Sequence, residues 1–259
     1  MPTPLIIAHR GASALTPENT LASFERAIDE GADGIEFDVR LAADGVPVVI
    51  HDATLQRVAG LRKSVQSLTS TELAKIDVGS WFNRRHPNRA KTEYSSEGVP
   101  TLERTLEFLR DFRGLIYVEL KCRGDKDAGQ LVDAVAKIIA PSPLLPQIIV
   151  QSFNLHSLPK MRQEVSSVRI SALFAPKMIR PLKKKKPLVD LASQANAGYL
   201  SLHHLLVNPR SARKAAKAGF PITVWTVDRR RWVRRAQQMG IFALITNNPI
   251  ALITERAKI

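Results

Sequence analysis

The sequence predicts an α/β fold, a closed (β/α)8 barrel. Three observations carry this. Eight short apolar runs alternate with amphipathic helical stretches almost to the end of the chain. Each run is continuously apolar, as strands buried on both faces of a parallel sheet are. The length, 259 residues, suits one such barrel. A doubly wound open sheet is the alternative that the same alternation allows.

The first strand candidate is 5–9. Residues 20–30 follow as a helix, with Leu21, Phe24 and Ile28 on one face, Asn19 as N-cap and Gly31 as its stop. The second strand is 35–39. A further strand, 46–50, returns after a short turn around Asp44-Gly45. No crossover helix fits between them, so the pair must be an antiparallel hairpin. A turn centred between Ala43 and Asp44 would set residue 51 opposite residue 36, bringing His51 beside Glu36 and Asp38. Residues 53–99 are polar and carry Trp81-Phe82. They are expected to form a small insertion over the barrel mouth, with a short helix near 70–76, too short to stand as an independent domain. The remaining strands are 115–120, 147–151, 168–174, 198–202, 221–227 and 242–246. Helices are expected at 102–111, 128–140, 154–164, 188–195, 209–218 and 229–239. Residues 1–259 thus read as one barrel domain with one insertion.

The formal net charge is +14. Such a balance attracts anions, whether nucleic acid, an anionic membrane surface or a phosphate-bearing substrate. Residues 183–186, between Pro181 and Pro187, read as an exposed basic loop. In 229–235 the arginines surround the helix that carries Trp232, which looks like a solvated face over a partly buried ring. A non-catalytic anion-binding protein would rest on these two runs. No specific nucleic-acid site is expected, whereas peripheral contact with an anionic membrane is compatible with them. The single cysteine, Cys122, excludes an internal disulfide and a cysteine-based zinc site. Residues 1–8 lack the charged start and long apolar stretch of a signal peptide. No apolar run approaches the ~18 residues that span a bilayer. The expectation is a soluble, cytoplasmic protein.

Barrel active sites gather at the C-terminal ends of the strands. The first strand ends in His9-Arg10-Gly11. The second carries Glu36 and Asp38, two apart and so on one face. The hairpin returns at His51-Asp52, and the third barrel strand ends in Glu119-Leu120-Lys121. Buried carboxylates in this number need cations against their desolvation and mutual repulsion. Arg10 and Lys121 supply part of that charge, and a hard divalent cation, Mg²⁺ or Ca²⁺, would supply the rest. Two histidines beside such a cation suit acid–base chemistry near neutral pH. A metal with Arg and Lys suits a phosphoryl group. Each piece alone has a structural reading: a hydrogen-bonding strand-end histidine, salt bridges to Arg10 and Arg40, a Glu-x-Lys ion pair. The convergence of all seven on consecutive strand ends is what points to chemistry.

Over these residues the sequence resembles the glycerophosphodiester phosphodiesterase family. The matching stretch is nearly continuous from Ala8 to Arg57, AHRGASALTPENTLASFERAIDEGADGIEFDVRLAADGVPVVIHDATLQR. YVELK (117–121), QSFN (151–154), VWTVD (224–228) and the helix entry from Pro100 to Glu103 match further on. The resemblance implies metal-dependent hydrolysis of glycerophosphodiesters to glycerol 3-phosphate and an alcohol. Carried over by motif, Glu36, Asp38 and Glu119 would hold the metal and His9 and His51 would be the acid–base pair. Arg10 and Lys121 would contact the phosphate. Glu18 and Asn19 would support these groups, or serve only as helix entry and cap. Trp225 would line the pocket, or serve only as barrel core. Related barrel enzymes acting on lysophospholipids are the nearer alternative. The sequence departs from the family pattern at Gln56 and Val58, where Asp and Thr are frequent. It departs also at Asn247, in a segment usually Thr-Asp-x-Pro, and at Asp228, where Asn is common.

The other histidines point less clearly to the site. One of His203 and His204 could reach it from the end of its strand. His86 is expected at the surface and His156 at a helix start. Strand alternation turns Cys122 away from the pocket.

Overall fold

A computed structural model describes residues 2–122, 124–179 and 187–259. The basic run 183–186 lies outside the described residues. The described residues form nine strands: β1 (Leu5–His9), β2 (Gly34–Leu41), β3 (Pro47–Val49), β4 (Leu115–Leu120), β5 (Ile148–Ser152), β6 (Arg169–Phe174), β7 (Tyr199–His203), β8 (Ile222–Trp225) and β9 (Ala243–Thr246). All but β3 pair in parallel, and β1 bonds both β2 and β9, which closes an eight-stranded barrel. The open-sheet alternative is thereby excluded.

Period two along each strand divides the barrel interior into levels. Ile7, Tyr117, Ile149, Ala243 and Ile245 fill the lower level with apolar contacts. One step up, the inward positions are His9, Glu36, Glu119 and Gln151. Gly34 belongs to the crowded floor: a Cβ there would stand 2.6 Å from the Leu115 carbonyl oxygen and 2.7 Å from Ile7 Cδ1. The outward residues, among them Ile35, Phe37, Val118 and Val150, pack under the helices as the main core.

Most helices fall within a residue or two of expectation. The helix expected at 154–164 starts later, at Ser157, because Asn154 Oδ1 accepts from the His156 amide and holds a turn first. The helix expected from 128 starts at Asp125. A helix at Pro249–Arg256, absent from the sequence reading, packs on β1, where Arg256 donates to the Pro4 carbonyl and pairs with Asp33.

The hairpin forms, but its register differs by one residue. Val39 pairs with Val49 and Leu41 with Pro47, so the turn centres on Asp44 and residue 51 follows the line of residue 37. Gly45, at φ +75°, lets the turn close one residue later. The insertion is a set of short helices, Gln56–Ala59, Ser70–Leu73 and Ser80–Arg85, with 3₁₀ turns between them. They cover a second apolar cluster, in which Val48 and Ile50 of the hairpin meet Leu55, Val58, Val65 and Leu73. His86 is half-buried rather than at the surface, its ring packed at a tilt against Phe82 with the centroids 4.6 Å apart.

Candidate active site

The mouth of the barrel holds a cleft of about 130 Å³ lined by His9, Arg10, Glu36, His51, Glu119, Lys121, Gln151 and Trp225. The one-residue slip in the hairpin therefore leaves His51 at the same mouth. Glu36, Asp38 and Glu119 offer carboxylate oxygens that all lie within 4.8 Å of one another, and all three are buried. β2 and β4 put them there, since Asp38 lies beside Glu119 in the strand register.

Three like charges at this spacing repel, and the structure shows how that is managed. Lys121 Nζ stands 3.0 Å from Asp38 Oδ1 and 2.5 Å from Glu119 Oε1. Arg10 Nε is 3.1 Å from Asp38 Oδ2. Burial pushes Glu36 well above the ordinary carboxylate range, and Asp38 and Glu119 add to it. Burial likewise pushes Glu119 up to about 7, against the pull of Lys121. For Asp38 burial acts the same way, but Lys121 and Arg10 outweigh it and hold the group well below its usual value. Burial opposes the charge on Lys121, yet Asp38 and Glu119 raise it.

This donor set fits a hard cation. It consists of carboxylate oxygens, and Asp38 Oδ1 and Glu119 Oε1 are buried without a hydrogen bond, satisfied only by the nearby ammonium. Buried acceptors left in that state are costly unless positive charge meets them.

The loop after β1 builds the rest of the site. Arg10 sits at φ +56° and Gly11 at φ +77°. A Cβ on Gly11 would meet Ser23 Oγ at 2.3 Å. That turn lets the Arg10 amide donate to Glu36 Oε2 at 3.2 Å and its guanidinium donate to Glu18 at 2.8 Å. Asn19 is not the helix N-cap. Thr20 caps, with Ser23 in a reciprocal capping box. Asn19, one residue earlier at φ +59°, turns its side chain inward, where Nδ2 donates to Asp38 Oδ2 at 2.9 Å. Glu18 and Asn19 thus both contact the charged cluster.

The two histidines differ in setting. His9 Nδ1 is 2.7 Å from Asn247 Oδ1, and Nε2 is 3.9 Å from Glu36. Burial, with the charge of Arg10, lowers His9 to about 4. His51 is more open and is also lowered by burial, while its Nδ1 bonds Asp52 at 2.6 Å. Trp225 stands between the cleft and the core. It lines the cleft, and it packs on the lower apolar level and edge-on against Phe153 and His203. His203 and His204 stack on each other at 4.2 Å behind that tryptophan. Cys122 is half-buried against the core, and burial pushes its thiol up to about 12.

Several polar residues at the mouth escaped the sequence reading. Arg57 donates to both Glu18 and Asp52 and so ties the insertion to the loop after β1. Gln151 donates to Glu36 at 3.3 Å and accepts from Ser201, which bonds Ser171 in turn. Gln151 lies in the quoted QSFN match, but nothing in its neighbours marked it as a partner of Glu36. Asp228 and Asn247 stood out only as departures.

Residues 9–251 match the model of the glycerophosphoryl diester phosphodiesterase family. The chain belongs to that family. A glycerophosphodiester phosphodiesterase of Caldanaerobacter subterraneus subsp. tengcongensis is 32% identical over 249 residues, covering 96% of each chain. One from Bacillus subtilis is 30% identical, over 95% of this chain and 84% of its own. Among solved structures, a glycerophosphodiester phosphodiesterase from Agrobacterium tumefaciens superposes with a TM-score of 0.78 at 27% identity, covering 97% of this chain and 99% of that one. An Oleispira antarctica phosphodiesterase in complex with the product sn-glycerol-3-phosphate shares the fold, with a TM-score of 0.86 at 23% identity over 98% and 96% of the two chains. The charged mouth lies at the C-terminal ends of the strands, the end at which barrel enzymes act.

Proposed function

We propose that this protein hydrolyses glycerophosphodiesters to glycerol 3-phosphate and an alcohol with the help of one divalent cation, Mg²⁺ or Ca²⁺. The observation that carries the reading is the buried Glu36–Asp38–Glu119 cluster, flanked by two histidines and two cationic side chains, in a chain of this family. Glu36, Asp38 and Glu119 would hold the cation. When bound, it supplies positive charge against which a phosphoryl oxygen can rest as negative charge develops. Arg10 and Lys121 bind the phosphate, with Trp225 as the wall beside it. Of His9 and His51, one takes a proton from the nucleophile and the other returns one to the departing alcohol. The nucleophile is a water, or the substrate's own 2-hydroxyl, which expels the alcohol to leave a cyclic phosphate that a water then opens to glycerol 3-phosphate.

A water-soluble diester suits the mouth better than a lysophospholipid. The aromatics of the insertion are all engaged: Trp81 donates to the Val78 carbonyl and stacks under Arg57, while Phe82 and Tyr94 are buried. None is offered to an acyl chain. We also propose that residues 1–259 act as one domain, since Arg57 of the insertion bonds Glu18 and Asp52 at the mouth. A cytoplasmic setting is proposed on the single, partly buried cysteine. No helix among the described residues is long and apolar enough to cross a membrane.

The test is release of glycerol 3-phosphate from glycerophosphocholine by EDTA-treated protein, with Mg²⁺ or Ca²⁺ added back. A lysophospholipid and the Glu36→Gln variant are run in parallel. Metal-dependent product that the variant loses is expected. Turnover of the lysophospholipid alone would replace the substrate, and absence of product from both would sink the reading.

A further inference from the structure

His9 is held in place by a short chain of polar groups, and the chemistry of that chain dictates where its proton sits. The Asp228 carboxylate can only accept hydrogen bonds. It accepts from Thr246 Oγ1 at 2.9 Å, from the Asn247 amide nitrogen at 2.8 Å and from Asn247 Nδ2 at 2.8 Å. The side-chain NH₂ of Asn247 therefore faces Asp228, and its carbonyl oxygen faces the other way. That oxygen, Oδ1, lies 2.7 Å from His9 Nδ1 and also accepts from Ser13 Oγ at 3.1 Å. An acceptor opposite Nδ1 requires Nδ1 to carry the hydrogen. The remaining ring nitrogen, Nε2, then bears the lone pair and faces the carboxylates of the mouth, 3.9 Å from Glu36.

We propose that Asp228 and Asn247 are positioning residues that lock neutral His9 in its Nδ1–H tautomer, leaving Nε2 as the atom through which it exchanges protons. The two residues are among the departures from the family pattern noted in the sequence. The contact on the imidazole comes from a neutral amide, and the carboxylate stands one hydrogen bond further back. Orientation is thus secured without a charge directly on the ring. A carboxylate at 247 would orient the ring equally well but would favour the imidazolium. The consequence for catalysis rests on the reading of His9 as an acid–base group, whereas the tautomer itself does not.

The test is nitrogen NMR of protein labelled with ¹⁵N-histidine, at a pH where the imidazole is neutral. The chain has 6 histidines, so the His9 signals are assigned by their loss in His9→Gln. A protonated-type shift at Nδ1 and a bare-type shift at Nε2 are expected in the wild type. The reverse pattern would overturn the proposal, whatever happens to any variant. In Asn247→Leu and in Asp228→Ala the pattern should move toward a mixture. The exchange of the pair, Asp228→Asn with Asn247→Asp, which keeps an NH₂ facing a carboxylate, should retain it. In turnover, Asn247→Leu should lower kcat on the order of tenfold or more with KM little changed. The double variant Asp228→Asn with Asn247→Asp should recover most of that loss. A tautomer unmoved in Asn247→Leu would also overturn the proposal. The expected tautomer in a protein without phosphodiesterase activity would sink the reaction assigned above and leave this arrangement standing.

Discussion

At the residue scale the site is a set of opposed titrations. Glu119, at about 7 against an ordinary 4.5, favours its neutral form in the fold. Its contribution to stability is fully present below about 4.5 and is lost as pH rises through about 7. His9, at about 4 against 6.5, is also kept neutral. Its contribution is present above 6.5 and is lost as pH falls toward about 4. A bound cation requires the carboxylates ionised, so metal affinity should weaken as pH falls below about 7, with proton release on binding. Calorimetric titrations in buffers of different ionisation enthalpy measure that release, and identical heats would refute it. His9→Ala and His51→Ala should each cost on the order of 10²- to 10⁴-fold in turnover. Near-normal rates in either variant would remove that histidine from the reaction. Most of these residues were legible in the sequence because each lies at a strand end, where period two dictates its face. Arg57, Gln151 and Asn247 were not, because each acts through a partner far along the chain, Glu18, Glu36 and His9 respectively.

At the scale of elements, the parallel strands were readable because burial on both faces leaves an unbroken apolar run. The hairpin register was not, because one residue of slip depends on whether Gly45 adopts a positive φ, and the apolar pattern of the short return strand tolerates either closure. The insertion was legible only as an interruption. Its helices are too short for their periodicity to stand out, and its order comes from the second apolar cluster. Leu73 is fully buried there, so Leu73→Ala should cost about 2–5 kcal/mol within that cluster. Since Ile50 and Leu55 flank His51, thermal loss of activity in this variant should precede loss of barrel circular dichroism. Coincident transitions would show that insertion and barrel unfold as one unit. Gly98 tests the same packing, because a Cβ there would stand 2.0 Å from the Ala74 carbonyl oxygen.

At the scale of the whole molecule, the net charge of +14 is unevenly spread. Arg210, Arg213, Lys214, Lys217, Arg229, Arg230, Arg231 and Arg234 are all exposed. Among the described residues none of them forms an ion pair, and Asp228, the acidic group nearest in sequence, is taken up by Thr246 and Asn247. Such a face should hold the protein to phosphatidylserine vesicles at low salt, each cation near the surface being worth about 1 kcal/mol. Release is expected as ionic strength passes about 0.1 M, where screening reaches ~10 Å. Equal sedimentation with neutral vesicles would show that charge is not responsible.

The crowded carboxylates of the mouth have one more consequence. Glu36 is buried beside two like groups, and its ionised form is disfavoured wherever no cation answers it. An enzyme that keeps such a residue gives up heat resistance to remain responsive to its ion. Glu36→Gln, the variant expected to be inert, should therefore melt at a higher temperature than the metal-free parent above neutral pH. The same variant should gain nothing when the ion is added, so that the most robust form of the molecule is also the one that no longer works.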